Sequence, residues 1–191
     1  MKSSMSKIKG ILSFINETEG LKKLMRHSWL SNGRRESVAE HTWRMAMMAL
    51  ILAQKLQRKV DIGHTLQIII IHDLPEIYAG DRVAWKKLKD DKHKEEKKGL
   101  QKIIKTLPTK TQKMIMNLWL EYEENKTSEA NLAHAVDKLE VIIQHNQANI
   151  KTWAKSEKEF TLHYGDEFCN YDKTIRTLKN LARLDTAKKI K

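Results

Sequence analysis

The chain has 191 residues, a length that suits a single domain with a sizeable hydrophobic core. Its 36 lysines and arginines outnumber its 24 aspartates and glutamates, so the net charge is +12 and the surface should attract phosphorylated molecules. The single cysteine, Cys169, excludes an internal disulfide, and no run approaches the roughly 18 to 20 apolar residues of a membrane span, so we expect a cytoplasmic protein.

The spacing of apolar residues predicts an all-α fold. Seven glycines and two prolines leave few turn signals, and apolar residues recur at steps of three and four. We expect one domain over residues 1–191, with a core at 21–149 and a C-terminal helical tail at 160–191. The first helix should span about residues 5–16, and its apolar row consists of Ile8, Ile11, Leu12 and Ile15.

The second predicted helix begins at Val38, because Ser37 and Glu40 have the spacing of a capping box. Its inward row consists of Val38, His41, Met45, Met48 and Leu52. The third helix, at about 61–73, is apolar on all sides at 68–71, which predicts a central position, and Pro75 should end or kink it. Further helices are predicted near 94–106, 109–123, 128–149 and 171–184. The lysine-rich stretch at 85–99 contains interleaved acids and is interpreted as a solvated helix face or loop.

Three of these helices carry ionisable groups on inward faces, namely His41, the pair His72 and Asp73, and Asp137. Each has an ordinary alternative, since a lone histidine is often a hydrogen-bonded core residue and Asp137 could pair with Lys138. If the three helices pack around one centre, however, two imidazoles and two carboxylates converge there. One divalent cation would neutralise the buried carboxylates and accept the imidazoles as ligands. A mixed N/O set favours Mn²⁺, Co²⁺, Fe²⁺ or Mg²⁺, with Zn²⁺ as an alternative.

Glu76 is a candidate for proton transfer near that centre. It follows Asp73 by three residues and His72 by four, so a continuous helix would place it on the same side. Pro75 leaves the continuation open, and an exposed acid beyond the helix end is the alternative. The six other histidines, at positions 27, 64, 93, 134, 145 and 163, fit no ligand row as well and are interpreted as exposed or hydrogen-bonded in the core.

Three segments together resemble the HD-domain metal-dependent phosphohydrolases, in particular the 5′-deoxynucleotidase branch. They read SVAEHTWRMAMMA, IIIIHDLPEIYAGD and AVDKLEVIIQ, and the family's pattern of His, His-Asp and a distant Asp falls on His41, His72, Asp73 and Asp137. The likeness covers about residues 21–149. It implies a helical bundle, commonly a homodimer, that binds a divalent metal and removes phosphate from 2′-deoxynucleoside 5′-monophosphates.

The same resemblance implies further site residues. Glu76 and Asp81 match the family's glutamate and aspartate that assist hydrolysis. Arg26 matches an arginine that contacts the phosphate, and Trp29 matches a tryptophan that crowds the sugar 2′ position, although two residues separate them here and some members have them adjacent. Guanidinium is a good bidentate partner for phosphate. Ordinary core packing is the alternative for Trp29.

Two other functions remain open at the level of sequence. One is an HD-type phosphodiesterase or nucleotide-signal hydrolase on the same scaffold. The other is a basic helical module that binds nucleic acid and keeps the metal for structure alone. The interleaved acids, and the absence of aromatic residues alternating with basic ones, make nucleic acid the less favoured partner.

Overall fold

The computed structural model describes residues 2–81 and 91–191 and confirms an α-helical chain. The helices are α1 (Lys2–Glu17), α2 (Gly20–Lys23), α3 (Val38–Ala53), α4 (Ile62–Ile71), α5 (Glu76–Ala79), α6 (Lys92–Ile104), α7 (Thr109–Glu124), α8 (Ser128–Gln147), α9 (Lys155–His163), α10 (Asp166–Cys169) and α11 (Lys173–Ile190). A 3₁₀ turn at Ile150–Thr152 follows α8, and a small hairpin pairs β1 (Met25–Trp29) with β2 (Arg35–Ser37). Residues 82–90, which include the first six residues of the lysine-rich stretch at 85–99, lie outside the described residues.

Helix α8 is the centre of the fold. It contacts α3, α4, α7, α10 and α11, and β1 packs against it as well. Its fully buried apolar side chains form the middle of the core; they are Ala130, Leu132, Ala133, Ala135, Val136, Leu139 and Ile142. A helix surrounded in this way can present polar residues to several neighbours at once, which matters for Asp137.

Helix α4 contacts α3, α7 and α8, as its predicted central position requires, but one side of it faces solvent. Ile68 and Ile69 are fully buried, whereas Ile70 is 58% exposed. Successive residues on a helix point about 100° apart, so a helix packed against α3, α7 and α8 still presents one side to solvent. The run of four isoleucines therefore contains one that faces outward.

The predicted capping box at the start of α3 is present. Ser37 Oγ accepts a hydrogen bond from the Glu40 N–H at 3.3 Å, and Glu40 Oε2 accepts one from the Ser37 N–H at 2.8 Å. This exchange satisfies two amide groups that a helix N-terminus leaves without partners. It fixes the start of α3 at Val38, and with it the position of His41 one turn later.

The end of α4 also agrees with the expectation from Pro75. The helix ends at Ile71, residues 72–75 form a turn, and α5 begins at Glu76 with Pro75 preceding it. Proline lacks a backbone N–H but suits the start of a helix, where that donor has no intrahelical partner. The chain therefore turns at the residues that the sequence marks as functional.

Two parts of the chain differ from the predicted pattern. The β1–β2 hairpin was not predicted; it pairs Met25 with Ser37 and Trp29 with Arg35. Of the apolar row predicted on α1, Ile11 packs against the core, whereas Ile8, Leu12 and Ile15 are each more than half exposed. Periodicity identifies an apolar face and does not specify what covers it. No helix in the described ranges is long and apolar enough to cross a membrane.

Candidate active site

The four predicted metal ligands come together from three parts of the chain. His41 Nε2 lies 3.2 Å from Asp137 Oδ1, and His72 Nε2 lies 3.0 Å from Asp73 Oδ1. His41, His72 and Asp73 each offer one ligand atom, and these three atoms all lie within 4.8 Å of one another. Helix α3 supplies His41, the turn after α4 supplies His72 and Asp73, and α8 supplies Asp137.

The donor atoms of this cluster fit a divalent cation. His41 Nε2, His72 Nε2 and Asp73 Oδ2 are buried, and none has a hydrogen-bond partner in the described part of the chain. A buried polar atom without a partner costs about 1–3 kcal/mol, so three together need a common partner. Imidazole nitrogens and carboxylate oxygens are ligands that transition-metal ions and Zn²⁺ accept together.

Both imidazoles are oriented through their second nitrogen. His72 Nδ1 donates to the Ile69 carbonyl at 2.7 Å, and His41 Nδ1 lies 2.5 Å from Glu140 Oε2. A ligating histidine commonly gives its other N–H to a carbonyl or a carboxylate, which leaves Nε2 free for the metal. The ring positions of His41 and His72 are therefore set before any ion binds.

Glu140 is a functional residue that the sequence analysis did not identify. Its side chain is fully buried on α8, and it accepts from Arg44 Nε at 2.7 Å in addition to contacting His41. Burial acts to raise the pKa of Glu140, but the His41 and Arg44 charges outweigh it and hold that pKa below its ordinary value. The available signal was its position three residues after Asp137, on the same side of the helix.

The two carboxylate oxygens of Asp137 have different contacts: Oδ1 lies near His41, and Oδ2 accepts hydrogen bonds from neighbouring side chains. Its Oδ2 accepts from Tyr122 Oη at 3.0 Å and from Lys138 Nζ at 2.7 Å. Burial acts to raise the pKa of Asp137. The Lys138 and His41 charges lower it by a larger amount, so the pKa lies well below its usual range. The alternative considered above, a pair with Lys138, is thus present together with the contact to His41.

A cavity of about 430 Å³ opens beside the cluster. Its lining includes the predicted ligands His72, Asp73 and Asp137 together with Arg26, Glu76 and Asp81. This volume falls within the usual range for small-molecule sites. The polar lining identifies the cavity as the candidate active site.

Glu76 and Asp81 lie in this cavity with different surroundings. Glu76 is 9% exposed and its Oε2 has no hydrogen-bond partner among the described residues. Burial, and after it the Asp73 and Asp81 charges, raises the pKa of Glu76 well above the ordinary value. Asp81 Oδ1 lies 4.0 Å from Arg26 Nη1. Glu76 therefore presents an unpartnered carboxylate oxygen in the cavity, and Asp81 lies beside the arginine.

Arg26 and Trp29 are held on the same short strand but have different positions. Arg26 lines the cavity, and its Nε lies 3.4 Å from Glu36 Oε2. Trp29 is not among the described residues that line the cavity; the Arg35 guanidinium lies over its ring, 4.7 Å from the centroid. The Trp29 carbonyl accepts from Gln144 Nε2 at 2.6 Å, which ties this strand to α8.

Residues 18–179 match a family model described as the HD domain. The chain is 36% identical over 141 residues to the 5′-deoxynucleotidase HDDC2 of Dictyostelium discoideum, covering 70% of this chain and 74% of that protein. It is 29% identical over 142 residues to the human protein of the same name, covering 73% and 68%.

A solved structure supports the same family assignment. The structure of a predicted metal-dependent phosphohydrolase from Magnetospirillum magnetotacticum MS-1 superimposes with a TM-score of 0.81 and 28% identity, covering 97% of this chain and 93% of that one. A helical fold that gathers two histidines and two aspartates beside a polar cavity defines a metal-dependent phosphohydrolase. The chain belongs to the HD domain family.

Proposed function

We propose that this enzyme removes phosphate from 2′-deoxynucleoside 5′-monophosphates. The observation that carries the proposal is the convergence of His41, His72, Asp73 and Asp137 beside a cavity that also contains Arg26. The relatives named 5′-deoxynucleotidase support the choice of substrate. A cavity of about 430 Å³ accommodates a nucleoside monophosphate.

In this proposal the same four side chains hold one divalent ion, with Mn²⁺, Co²⁺, Fe²⁺ or Mg²⁺ favoured over Zn²⁺. When bound, such an ion offsets charge on phosphoryl oxygens and lowers the pKa of a coordinated water towards neutrality. Glu140 and the Ile69 carbonyl hold the imidazoles of His41 and His72 in the ligating orientation.

Arg26 binds the phosphate group of the substrate. Its guanidinium faces the cavity, and the negative charges of Asp81, Glu140 and Asp73 outweigh burial and raise its pKa, so it stays charged. Guanidinium can donate two parallel hydrogen bonds to one phosphate, which positions the phosphorus atom for in-line attack. Asp81, beside Nη1, fixes the orientation of that guanidinium.

Glu76 manages the proton of the attacking water. A carboxylate whose pKa is raised above the ordinary value is a stronger proton acceptor than an ordinary glutamate. Its unpartnered Oε2 is the atom that takes the proton. The same carboxyl group then gives this proton to the leaving 5′-oxygen as the P–O bond breaks, so that the products are a deoxynucleoside and inorganic phosphate.

Trp29 is proposed to limit the space at the sugar 2′ position. The support is its place on β1, three residues after Arg26 on the strand that α8 holds. Because it lies outside the described cavity lining, its effect would be exerted at the mouth of the site or through the strand. Comparison of ribonucleotide with deoxynucleotide turnover tests this role.

The proposal includes a cytoplasmic homodimer. Several large apolar side chains are exposed on α1 and α3, and burying them between two copies would remove them from water. They are Met5, Ile8, Leu12 and Ile15 on α1 and Trp43, Met47, Leu50 and Ile51 on α3. Sedimentation of the purified chain tests this state; a monomer at micromolar concentration would contradict it.

A substrate panel tests the proposed activity. Phosphate release is measured from the four deoxynucleoside monophosphates, the matching ribonucleotides and cyclic nucleotides, with Mn²⁺, Co²⁺, Mg²⁺ or Zn²⁺ and with a chelator as control. The proposal expects metal-dependent release from the deoxynucleotides. Preferred cleavage of cyclic nucleotides would favour the phosphodiesterase alternative, and tight, salt-dependent nucleic-acid binding without phosphate release would favour the structural-metal module.

A further inference from the structure

A second group of potential ligands lies at another part of the cavity wall. His27 Nε2 is 2.6 Å from Glu157 Oε1 and 3.1 Å from His145 Nε2, and His145 Nε2 is 3.9 Å from the same carboxylate oxygen. The two histidines line the cavity, and a small adjoining pocket contains all three residues. From the sequence, His27 and His145 were interpreted as exposed or hydrogen-bonded in the core. Glu157 was not identified as a candidate site residue.

The three atoms are spaced as the ligands of a single ion. The circle through three points with these separations has a radius of about 2 Å, and Zn–N and Zn–O bonds are about 2.0–2.2 Å long. Changes of less than about 1 Å in these three separations would give the tetrahedral arrangement that Zn²⁺ prefers. Two histidines and one glutamate form a recognised zinc ligand set that leaves a fourth position open.

The hydrogen-bond contacts of this group are shared or long. His27 Nε2 lies within hydrogen-bond distance of both Glu157 Oε1, at 2.6 Å, and His145 Nε2, at 3.1 Å. The other partner of His145 Nε2 is the Ser28 hydroxyl at the long distance of 3.4 Å. A cation would accept the lone pairs of both imidazoles and of the carboxylate together.

His145 and Glu157 are buried and are fixed by hydrogen bonds, while His27 is half-buried. His145 is 5% exposed and Glu157 is 2% exposed. Glu157 Oε2 accepts from the Ala154 N–H at the start of α9, and the His145 carbonyl accepts from Trp153 Nε1 at 3.1 Å.

This group is separate from the centre formed by His41, His72, Asp73 and Asp137. Asp137 and His145 are eight residues apart on α8, which corresponds to a rise of about 12 Å along the helix. The two ions of a two-metal hydrolytic site lie only about 3.5–4 Å apart. A cation held by His145 is therefore too far from an ion at Asp137 for the two to bind the same reacting phosphate as a two-metal site does.

We propose that His27, His145 and Glu157 form a second cation site, selective for Zn²⁺ or an ion of similar chemistry. The ion joins β1, α8 and α9 at the cavity wall, and it holds β1 immediately next to Arg26. The site thereby fastens the C-terminal helices to the strand that carries the phosphate-binding arginine. This function is independent of the nucleotide substrate proposed above.

Metal counting separates the two sites. After chelator treatment and equilibrium dialysis against Zn²⁺, the wild-type chain should contain two zinc ions, and both D73N and E157Q should contain one. The double variant D73N/E157Q should contain none. Circular dichroism establishes that each variant is folded. Binding of one ion by the wild type and none by folded D73N would overturn the proposal.

Cobalt provides a spectroscopic readout of the same site. Four-coordinate Co²⁺ absorbs visible light much more strongly than six-coordinate Co²⁺, so Co²⁺-loaded D73N should show the intense spectrum and D73N/E157Q should not. Zn²⁺ should also raise the Tm of D73N and leave that of the double variant unchanged. Equal spectra and equal shifts in the two variants would contradict a site at Glu157.

Crystals of the wild-type chain give a test that needs no variant. Zinc-soaked crystals should show an anomalous peak between His27, His145 and Glu157, distinct from the peak at Asp137. A peak at Asp137 alone would overturn the second site while leaving the proposed catalytic metal intact. Peaks at neither position would contradict both, so the two proposals fail in different ways.

Discussion

His41 Nδ1 lies 2.5 Å from Glu140 Oε2, and both side chains are completely buried. The carboxylate fixes the orientation of the imidazole and directs Nε2 towards Asp137. Arg44 balances the carboxylate from the other side, so neither buried charge is left without a partner. The metal centre therefore depends on a residue that does not itself belong to the ligand set.

Replacing Glu140 by Gln should weaken metal binding at the catalytic centre by about 10–100-fold, the usual effect of changing a partner behind a ligating histidine. Isothermal titration with Mn²⁺ measures the change. The matched control is E124Q, which removes a carboxylate that is 58% exposed on α7 and should leave the affinity unchanged. Equal affinities in wild type and folded E140Q would exclude the orienting role of Glu140.

Asp73 and Glu76 should separate binding from chemistry. D73N should lose both metal binding at the catalytic centre and turnover, because its carboxylate is part of the proposed ligand set. E76Q should keep the metal and lose about 10²–10⁴-fold in kcat, the usual contribution of a proton-transfer residue. Metal titration and phosphate release on both variants test the distinction. An unchanged kcat in E76Q would remove Glu76 from the mechanism.

Arg26→Lys should raise KM for deoxynucleotides and weaken competitive inhibition by inorganic phosphate. Lysine keeps the charge near Asp81 and Glu36 but cannot donate two parallel hydrogen bonds. A loss of about 1.5–3 kcal/mol corresponds to roughly 10–150-fold. R58K, on an exposed arginine, is the control. The assignment is wrong if R26K and R58K have the same KM and the same inhibition constant.

The two central isoleucines of the run give a stability test. Ile69→Ala should lower the free energy of unfolding by about 2–5 kcal/mol, because the side chain is fully buried and its removal leaves a cavity. Ile70→Ala should change it by about 0.5 kcal/mol or less, since Ile70 is 58% exposed. Urea titrations measure both. Equal losses would show that α4 is rotated from the orientation described.

Many of the helices could be predicted, because apolar periodicity and capping residues are visible within each local stretch of sequence. The Ser37 and Glu40 spacing located the start of α3, and Pro75 marked the end of α4. The exposure of Ile70 and of the apolar residues on α1 could not be predicted from the sequence. Apolar periodicity does not show which other elements pack against a helix. The strands of the hairpin, MRHSW and RES, are too short to show a clear alternation.

The part of the candidate site that could be predicted contains several polar residues in positions where apolar residues are expected. His41, His72, Asp73 and Asp137 interrupt apolar rows, and each stands in a segment that resembles the HD family. Glu140 is one of three acidic residues on the long helix α8, a pattern with many ordinary explanations. His27 and His145 are 118 positions apart, and nothing in the intervening sequence indicates that they meet.

The most direct test of the account is anomalous diffraction from crystals of the wild-type chain soaked in Mn²⁺ or Co²⁺. The account predicts one peak in bonding distance of His41, His72, Asp73 and Asp137, about 2.0–2.3 Å from each ligand atom. Absence of that peak in crystals of a preparation that hydrolyses deoxynucleotides would contradict it.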